Sequence, residues 1–199
     1  MARELSSKGD SSFLPKKMKL PAAPINRQRL WHKDIETEEK IMLTCHEMTE
    51  EEKYSICQWK YSGEYAIYDG MPYEEQKKRE FGFANPKNRL YSFHDGTKLV
   101  GFINLFEEET EVFFGIGVSP KDCGRSYGQQ MTRKACEISQ RLFAGKPIYL
   151  EVRTWNTRAV KCYEKAGFRI QGEPIRQATS IGEGIFYHMV YENGASETE

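Results

Sequence analysis

Residues 115–131, GIGVSPKDCGRSYGQQM, decide how the rest of the chain is read. Val112, Phe113, Phe114, Ile116 and Val118 give the β-branched and aromatic content of a buried strand. Ser119-Pro120 ends it, because proline has no N–H to give a ladder. Cys123-Gly124-Arg125-Ser126-Tyr127-Gly128 then opens a helix with one apolar stripe, Tyr127, Met131, Ala135, Ile138 and Leu142. Small residues where a strand turns into a helix leave backbone N–H groups uncrowded. With the positive end of the helix dipole, those donors make a seat for a phosphate. Gly115 and Gly117 would weaken an ordinary strand and point to a close approach by another backbone.

A second stretch, residues 149–168, YLEVRTWNTRAVKCYEKAGF, is again strand, turn, helix, followed by a Gly-Phe that starts another strand. Together the two resemble the paired signatures of the GCN5-related N-acetyltransferases. The downstream pattern, Glu-Val-x-x-x-Asn-x-x-Ala-x-x-x-Tyr-Glu-Lys-x-Gly-Phe, matches at every named position from Glu151 to Phe168. The family's phosphate loop, Arg/Gln-x-x-Gly-x-Gly/Ala, falls on Cys123, Ser126 and Gly128, of which only the last conforms. Ser126 in place of glycine is expected to act as a helix N-cap, its Cβ being a problem only if the position needs φ > 0. Residues 35–52, IETEEKIMLTCHEMTEEE, are similar to the opening of the ribosomal-protein N-acetyltransferase branch.

The resemblance implies an α/β fold with a mixed, mainly antiparallel sheet flanked by helices, its splayed strands holding acyl-CoA. It implies an acetyl-CoA-dependent N-acetyltransferase acting on a primary amine, of a small molecule or a protein N-terminus, by direct attack. Ile116, Gly117 and Val118 would pair with the pantetheine arm and supply an oxyanion donor. Cys123, Gly124, Arg125, Ser126, Tyr127, Gly128 and Gln129 would form the phosphate seat. Asn156 would contact pantetheine while also capping its helix.

Amine acetylation needs a base for the amine, a donor for the oxyanion and an acid for the departing thiolate. Tyr163 is the candidate acid, at the position where the family carries a tyrosine. Glu151, twelve residues earlier, where the ribosomal-protein branch of the family carries a base, is the candidate base; the alternative is a plain solvent-facing carboxylate paired with Arg153. Glu111 is the alternative base, since some family members use an acid on that strand. Tyr61, Tyr65, Tyr68 and Tyr73 either shape the acceptor pocket or pack on the sheet edge. Cys123 and Cys162 read as small buried hydrophobes. His32, His46, His94 and His188 are expected to form no cluster, and no metal is expected.

Composition bounds the rest. The 199 residues carry 29 basic and 29 acidic side chains, so the chain as a whole is no polyanion binder. Residues 1–29 hold seven Lys/Arg against two Asp/Glu. They lead into a flexible basic arm, 1–33, before an acetyltransferase domain at 34–192 and a polar tail at 193–199. No apolar run approaches the roughly 18 residues of a membrane span, and the first residues lack a secretory apolar segment. Five cysteines without CxxC spacing fit reduced thiols, and a cytoplasmic monomer or homodimer is expected. Two other classes of function stay open. One is a non-catalytic acyl-CoA sensor or scaffold. The other is a ribosome- or RNA-associated protein working through the basic arm.

Along the chain, a first strand is expected at 41–44, and a helix capped by Thr49 and Glu52 running to about Lys60. A charged helix follows at 73–81 with Glu74–Lys78 and Glu75–Arg79 pairs. A hairpin turns at Asp95-Gly96, and the last two strands are placed at 168–172 and 185–191.

Overall fold

The computed structural model describes residues 43–179 and 181–191. The basic arm at 1–33, the domain start near Asp34 and the tail at 193–199 lie outside the described residues, as do Ile41 and Met42 of the expected first strand.

Seven strands form one sheet in the order β1-β2-β3-β4-β5-β7-β6. β1 (Thr44–Glu47), β2 (Asn88–Asp95), β3 (Lys98–Glu107) and β4 (Val112–Val118) pair antiparallel in sequence. β5 (Ile148–Arg153) pairs antiparallel with β7 (Gly182–Tyr191), which also pairs with the edge strand β6 (Phe168–Thr179). β4 and β5 are parallel neighbours, as their crossover through a helix requires. This is the mixed, mainly antiparallel sheet with flanking helices that the sequence predicts.

Helix α3 (Tyr127–Leu142) covers one face. Its Met131 lies against Gly101 of β3, where a Cβ would come within 2.4 Å of the methionine Cε. Tyr127, Met131, Ala135 and Ile138 are buried with Ile103, Leu105 and Phe114 from the sheet. The predicted stripe ends there, because Leu142 is 44% exposed. Helix α4 (Thr157–Ala166) lies beside α3 and ends at Gly167, whose φ of +107° is the left-handed cap glycine favours.

On the other face, α1 (Glu50–Cys57) and α2 (Tyr73–Lys78) bracket a loop containing a 3₁₀ turn at Gly63–Tyr68. Met48, Ile56 and Leu90 form a second apolar cluster, with Trp59, Phe83 and Phe102 packed on it. The capping box is present: the Glu52 N–H donates to the Thr49 hydroxyl, and the Thr49 N–H to Glu52 Oε2. α1 stops at Cys57, short of Lys60. α2 is six residues long, and its ion pairs close at i,i+3, Lys77–Glu74 and Lys78–Glu75 at 2.8 Å each, in place of the i,i+4 pairs expected. The last hairpin is longer than predicted. Gly172-Glu173-Pro174 bulges β6 between Gln171 and Ile175 without ending it, which an edge strand tolerates.

A candidate acyl-transfer cleft between two parting strands

β4 and β5 are in register only at Val112–Ile148 and Phe113–Tyr149. Beyond those pairs they part, and a cleft of about 1130 Å³ opens between them. Val112 donates its N–H to Pro147 on the β5 side, and Ser119 donates to Val100 on the β3 side. Strand alternation therefore aims the N–H groups of Ile116 and Val118 into the gap. An extended ligand can take those donors as an added strand would.

Of the two strand glycines, Gly115 fits the expected close approach, since its Cβ position meets only ordinary contacts. Gly117 has another reason. Its cross-strand partner is Phe102, and a Cβ there would lie 2.2 Å from the ring.

At one end of the gap, a 3₁₀ turn at Pro120–Asp122 leads to the loop before α3. The N–H groups of Cys123, Gly124, Arg125 and Ser126 donate to no partner among the described residues. With the start of α3 they present free donors at the place where the sequence reading expects a phosphate. Gly124 (φ +90°) and Ser126 (φ +61°) are both left-handed. The Ser126 side chain makes no capping bond. The N-cap expectation is thus corrected: the position does need positive φ, which a capping serine does not adopt. Gly128 faces α4, where a Cβ would lie 3.1 Å from Cys162 Sγ.

The fully buried Asp122 lies beneath this loop, bonded to Lys98 Nζ at 2.5 Å and the Ser119 hydroxyl at 2.8 Å. Its own desolvation opposes ionisation. The Lys98 and Ser119 bonds and the Arg125 charge prevail, holding the carboxyl below its ordinary range. Arg125 points away, exposed and 3.9 Å from Asp122, and does not line the cleft. The other residues predicted for the cofactor do line it: Ile116, Gly117, Val118, Cys123, Gly124, Ser126, Tyr127, Gly128, Gln129 and Asn156. The Tyr127 hydroxyl, however, is directed to Asp95 at 2.5 Å.

Tyr163 and Glu151 both line the cleft, from opposite faces of the sheet. Tyr163 packs near Phe114 and Phe168 on the α3–α4 side, with ring centroids 6.5 and 6.2 Å away. Its hydroxyl makes no hydrogen bond among the described residues. Burial, with smaller contributions from Cys162 and Tyr68, pushes its pKa well above the usual phenol value. Glu151 shares the opposite face with Tyr149 and Arg153 and is the one exposed residue of β5.

Arg153 does not pair with Glu151. It reaches the carbonyls of Ile181, Gly182 and Glu183 at 2.7–3.0 Å, tying the β6–β7 turn to β5. Glu151 Oε2 instead accepts from Gln177 at 2.5 Å. Glu111, the alternative base, precedes β4 and is not among the lining residues.

Three of the four tyrosines singled out in the sequence, Tyr61, Tyr65 and Tyr68, line the cleft. Tyr61 donates to the Val118 carbonyl at 2.9 Å. Tyr68 accepts from Asn156 Nδ2 at 3.2 Å, while Asn156 Oδ1 takes the Ala159 N–H and so caps α4 as expected. Tyr65 packs on Trp155 at 5.5 Å and carries the Arg158 guanidinium at 4.7 Å. Tyr73 is buried instead against Tyr54 and Glu50 and stays outside the cleft. Trp59, Phe83, Phe102 and Asn104 also line the cleft. Sequence reasoning missed them because their role follows from α1 and α2 covering that face. Cys123 and Cys162 are half-buried on the cleft wall, not in the core; burial pushes the Cys162 thiol up, so it stays protonated at neutral pH. His46 and His94 do meet, at Glu52, contrary to the expectation that no histidines cluster.

A parted strand pair, a glycine-bearing loop with free N–H groups and a tyrosine on the following helix are the arrangement that the resemblance to an acyl-CoA-dependent transferase implies. The sequence profile of the acetyltransferase (GNAT) family matches residues 36–168, and the chain belongs to that family. It is 32% identical over 97 residues to the N-alpha-acetyltransferase RimI of Mycobacterium tuberculosis, a match covering 45% of this chain. The matched stretch spans 57% of that relative's length. Among solved structures, spermidine N-acetyltransferase from Vibrio cholerae in complex with CoA and spermine is similar at a TM-score of 0.57 and 20% identity. It covers 74% of this chain and 94% of its own. A chimera of the Vibrio cholerae enzyme with hSSAT gives a TM-score of 0.58 at 20% identity, covering 75% and 94%. These structures share the fold. Among the described residues no helix is long and apolar enough to cross a membrane.

Proposed function

We propose that this protein is an N-acetyltransferase that moves the acetyl group of acetyl-CoA to a primary amine. The carrying observation is that β4 leaves β5 after Phe113, so free β4 donors and the free N–H groups of Cys123, Gly124 and Ser126 border one continuous cleft. A thioester with a pantetheine arm and a pyrophosphate matches that sequence of donors. The family's use of acetyl-CoA supports the same reading. Cys123, Gly124, Ser126, Gly128 and Gln129 take the phosphates, with Arg125 adding charge from outside. Ile116, Gly117 and Val118 take the arm, with Asn156 alongside.

The acceptor enters from the α1–α2 side, where Glu151 removes its ammonium proton, directly or through a water. The neutral amine attacks the thioester carbon while the Ile116 or Val118 N–H receives the developing oxyanion. The C–N bond forms, the C–S bond breaks, Tyr163 gives the departing sulfur its proton, and the second proton shed by the new amide nitrogen returns through water to the Tyr163 phenolate. Burial of Tyr163 favours this role, because the phenol stays protonated at neutral pH.

The acceptor wall favours an amine with apolar surroundings, such as a protein N-terminus, over a polycation. Asp69 is engaged by Lys60 and the Tyr61 N–H, and Asp122 by Lys98, which leaves Glu151, among the described residues, as the carboxylate on the cleft without a cationic partner. A polyamine with several ammonium groups finds little to neutralise it there. This agrees with the alignment to an N-alpha-acetyltransferase. We assign the domain to about 34–192 and place the protein in the cytoplasm.

Thiol release from acetyl-CoA tests this with a panel of N-terminal peptides, spermidine and free amino acids. Turnover is expected with at least one amine, best with peptides, and should fall about 10²- to 10⁴-fold in Glu151→Gln. Acetyl-CoA binding without thiol release on any amine would replace the enzyme with a sensor.

A further inference from the structure

We propose that His46, Glu52 and His94 form a binding site for a divalent transition-series cation of the zinc type, separate from the acyl-transfer cleft. The three residues come from β1, α1 and β2. In the β1–β2 ladder His46 faces Ser92 and Thr44 faces His94, so the two histidines are diagonal neighbours on the face that α1 covers. Glu52 arrives between them because the capping box fixes it at the third position of α1. The Thr49 N–H holds Glu52 Oε2 at 2.8 Å, which turns Oε1 toward both imidazoles. Oε1 lies 3.0 Å from His46 Nε2 and 2.6 Å from His94 Nε2. All three ligand atoms fall within 4.8 Å of one another.

Two imidazole nitrogens and one carboxylate oxygen are the donor set of a three-ligand zinc site, with a fourth position left to water. Bonds of about 2.0–2.1 Å in a tetrahedron place ligand atoms about 3.3 Å apart, so a bound cation would widen the 3.0 Å and 2.6 Å contacts of Glu52 Oε1 by some tenths of an ångström. The small outward shift required is available to His46, whose side chain is 46% exposed on the edge strand. Two nitrogen donors disfavour calcium and magnesium, which want oxygen. The carboxylate already has a fixed outer partner in the Thr49 amide, as metal-binding carboxylates usually do.

None of the three residues lines the cleft, so the cation has no part in acyl transfer. It would clamp β1 and the start of α1 to β2. The other end of α1 carries Ile56 and Cys57 on the acceptor wall, so the clamp braces that wall.

The test uses the full chain stripped with chelator, titrated with Co²⁺ as a visible-absorbing probe and then with Zn²⁺ in competition. One equivalent of Co²⁺ should bind with nitrogen–oxygen d–d bands and no thiolate charge-transfer band. Zn²⁺ should displace it and raise the Tm by about 2–8 °C. His46→Ala and His94→Ala should each weaken binding at least tenfold and remove the Tm gain. Should His94→Ala unfold, the exposed His46→Ala carries the result alone. No saturable binding by about 1 mM Co²⁺, or binding unchanged in His46→Ala, would overturn the site and leave a hydrogen-bonded tie between α1 and the sheet. Acetyl-CoA binding, measured on the same samples, reports separately on the cleft.

Discussion

The Tyr61 hydroxyl donates a 2.9 Å hydrogen bond to the carbonyl of Val118, joining the loop after α1 to the last residue of β4. That carbonyl faces the gap left by β5, so one side chain of the acceptor wall fixes the strand proposed to hold the acyl donor. Tyr61→Phe should cost about 0.5–1.5 kcal/mol of stability in denaturant unfolding. It should also raise the KM for acetyl-CoA several-fold with a smaller change in kcat. An unchanged KM would show that β4 is held without this bond.

Tyr163→Phe separates catalysis from folding. The hydroxyl has no partner among the described residues, so the variant should unfold close to the wild type while kcat falls about 10²- to 10⁴-fold. Burial raises the Tyr163 pKa, so the proton-donating form persists as the pH rises. A kcat profile from pH 6 to 10 should therefore show no alkaline fall that the phenylalanine variant abolishes.

Ser126 is a non-glycine residue at φ +61°, in the loop where the family pattern places glycine. Its side chain makes no capping bond to offset the strain. Ser126→Gly should raise stability by up to about 1 kcal/mol and leave acetyl-CoA affinity equal or tighter. A lower Tm would mean that the serine makes a compensating contact.

Asp122 links the loop before α3 to pH. Its folded-state pKa is depressed below the ordinary 3.8, so its contribution is present above that value and is lost as the pH falls through the folded pKa. Wild-type stability should decline below about pH 4. Asp122→Asn should be less stable at pH 7 by about 1–3 kcal/mol and flatter across the acid range. Parallel urea unfolding series from pH 2.5 to 7 would show either behaviour.

The hairpin, the glycine-bearing strand and both βα units were legible because each carries its own punctuation: Asp95-Gly96, Ser119-Pro120, Asn156 and Gly167. The motif singled out Tyr163 and Glu151, and both line the cleft. The Arg153 side chain was not, since its carbonyl partners lie 28–30 residues away on a turn that exists only once β6 and β7 pair. The same holds for His46 and His94, whose meeting depends on the β1–β2 register, and for Trp59 and Phe102, which meet only when α1 lies on the sheet. Ser126 shows another limit: its identity suited a cap, but the loop's path into α3 dictated a left-handed residue.

Calorimetric titration of acetyl-CoA into the full chain, beside Gly128→Glu, tests the central claim most directly. The glutamate would crowd Cys162 and bring negative charge to the proposed phosphate seat, while thermal unfolding reports whether the variant is folded. Saturable one-to-one binding by the wild type, lost in a folded Gly128→Glu, is the predicted result. No binding by the wild type up to about 1 mM acetyl-CoA, or equal binding by both proteins, would contradict an acyl-CoA cleft between β4 and β5.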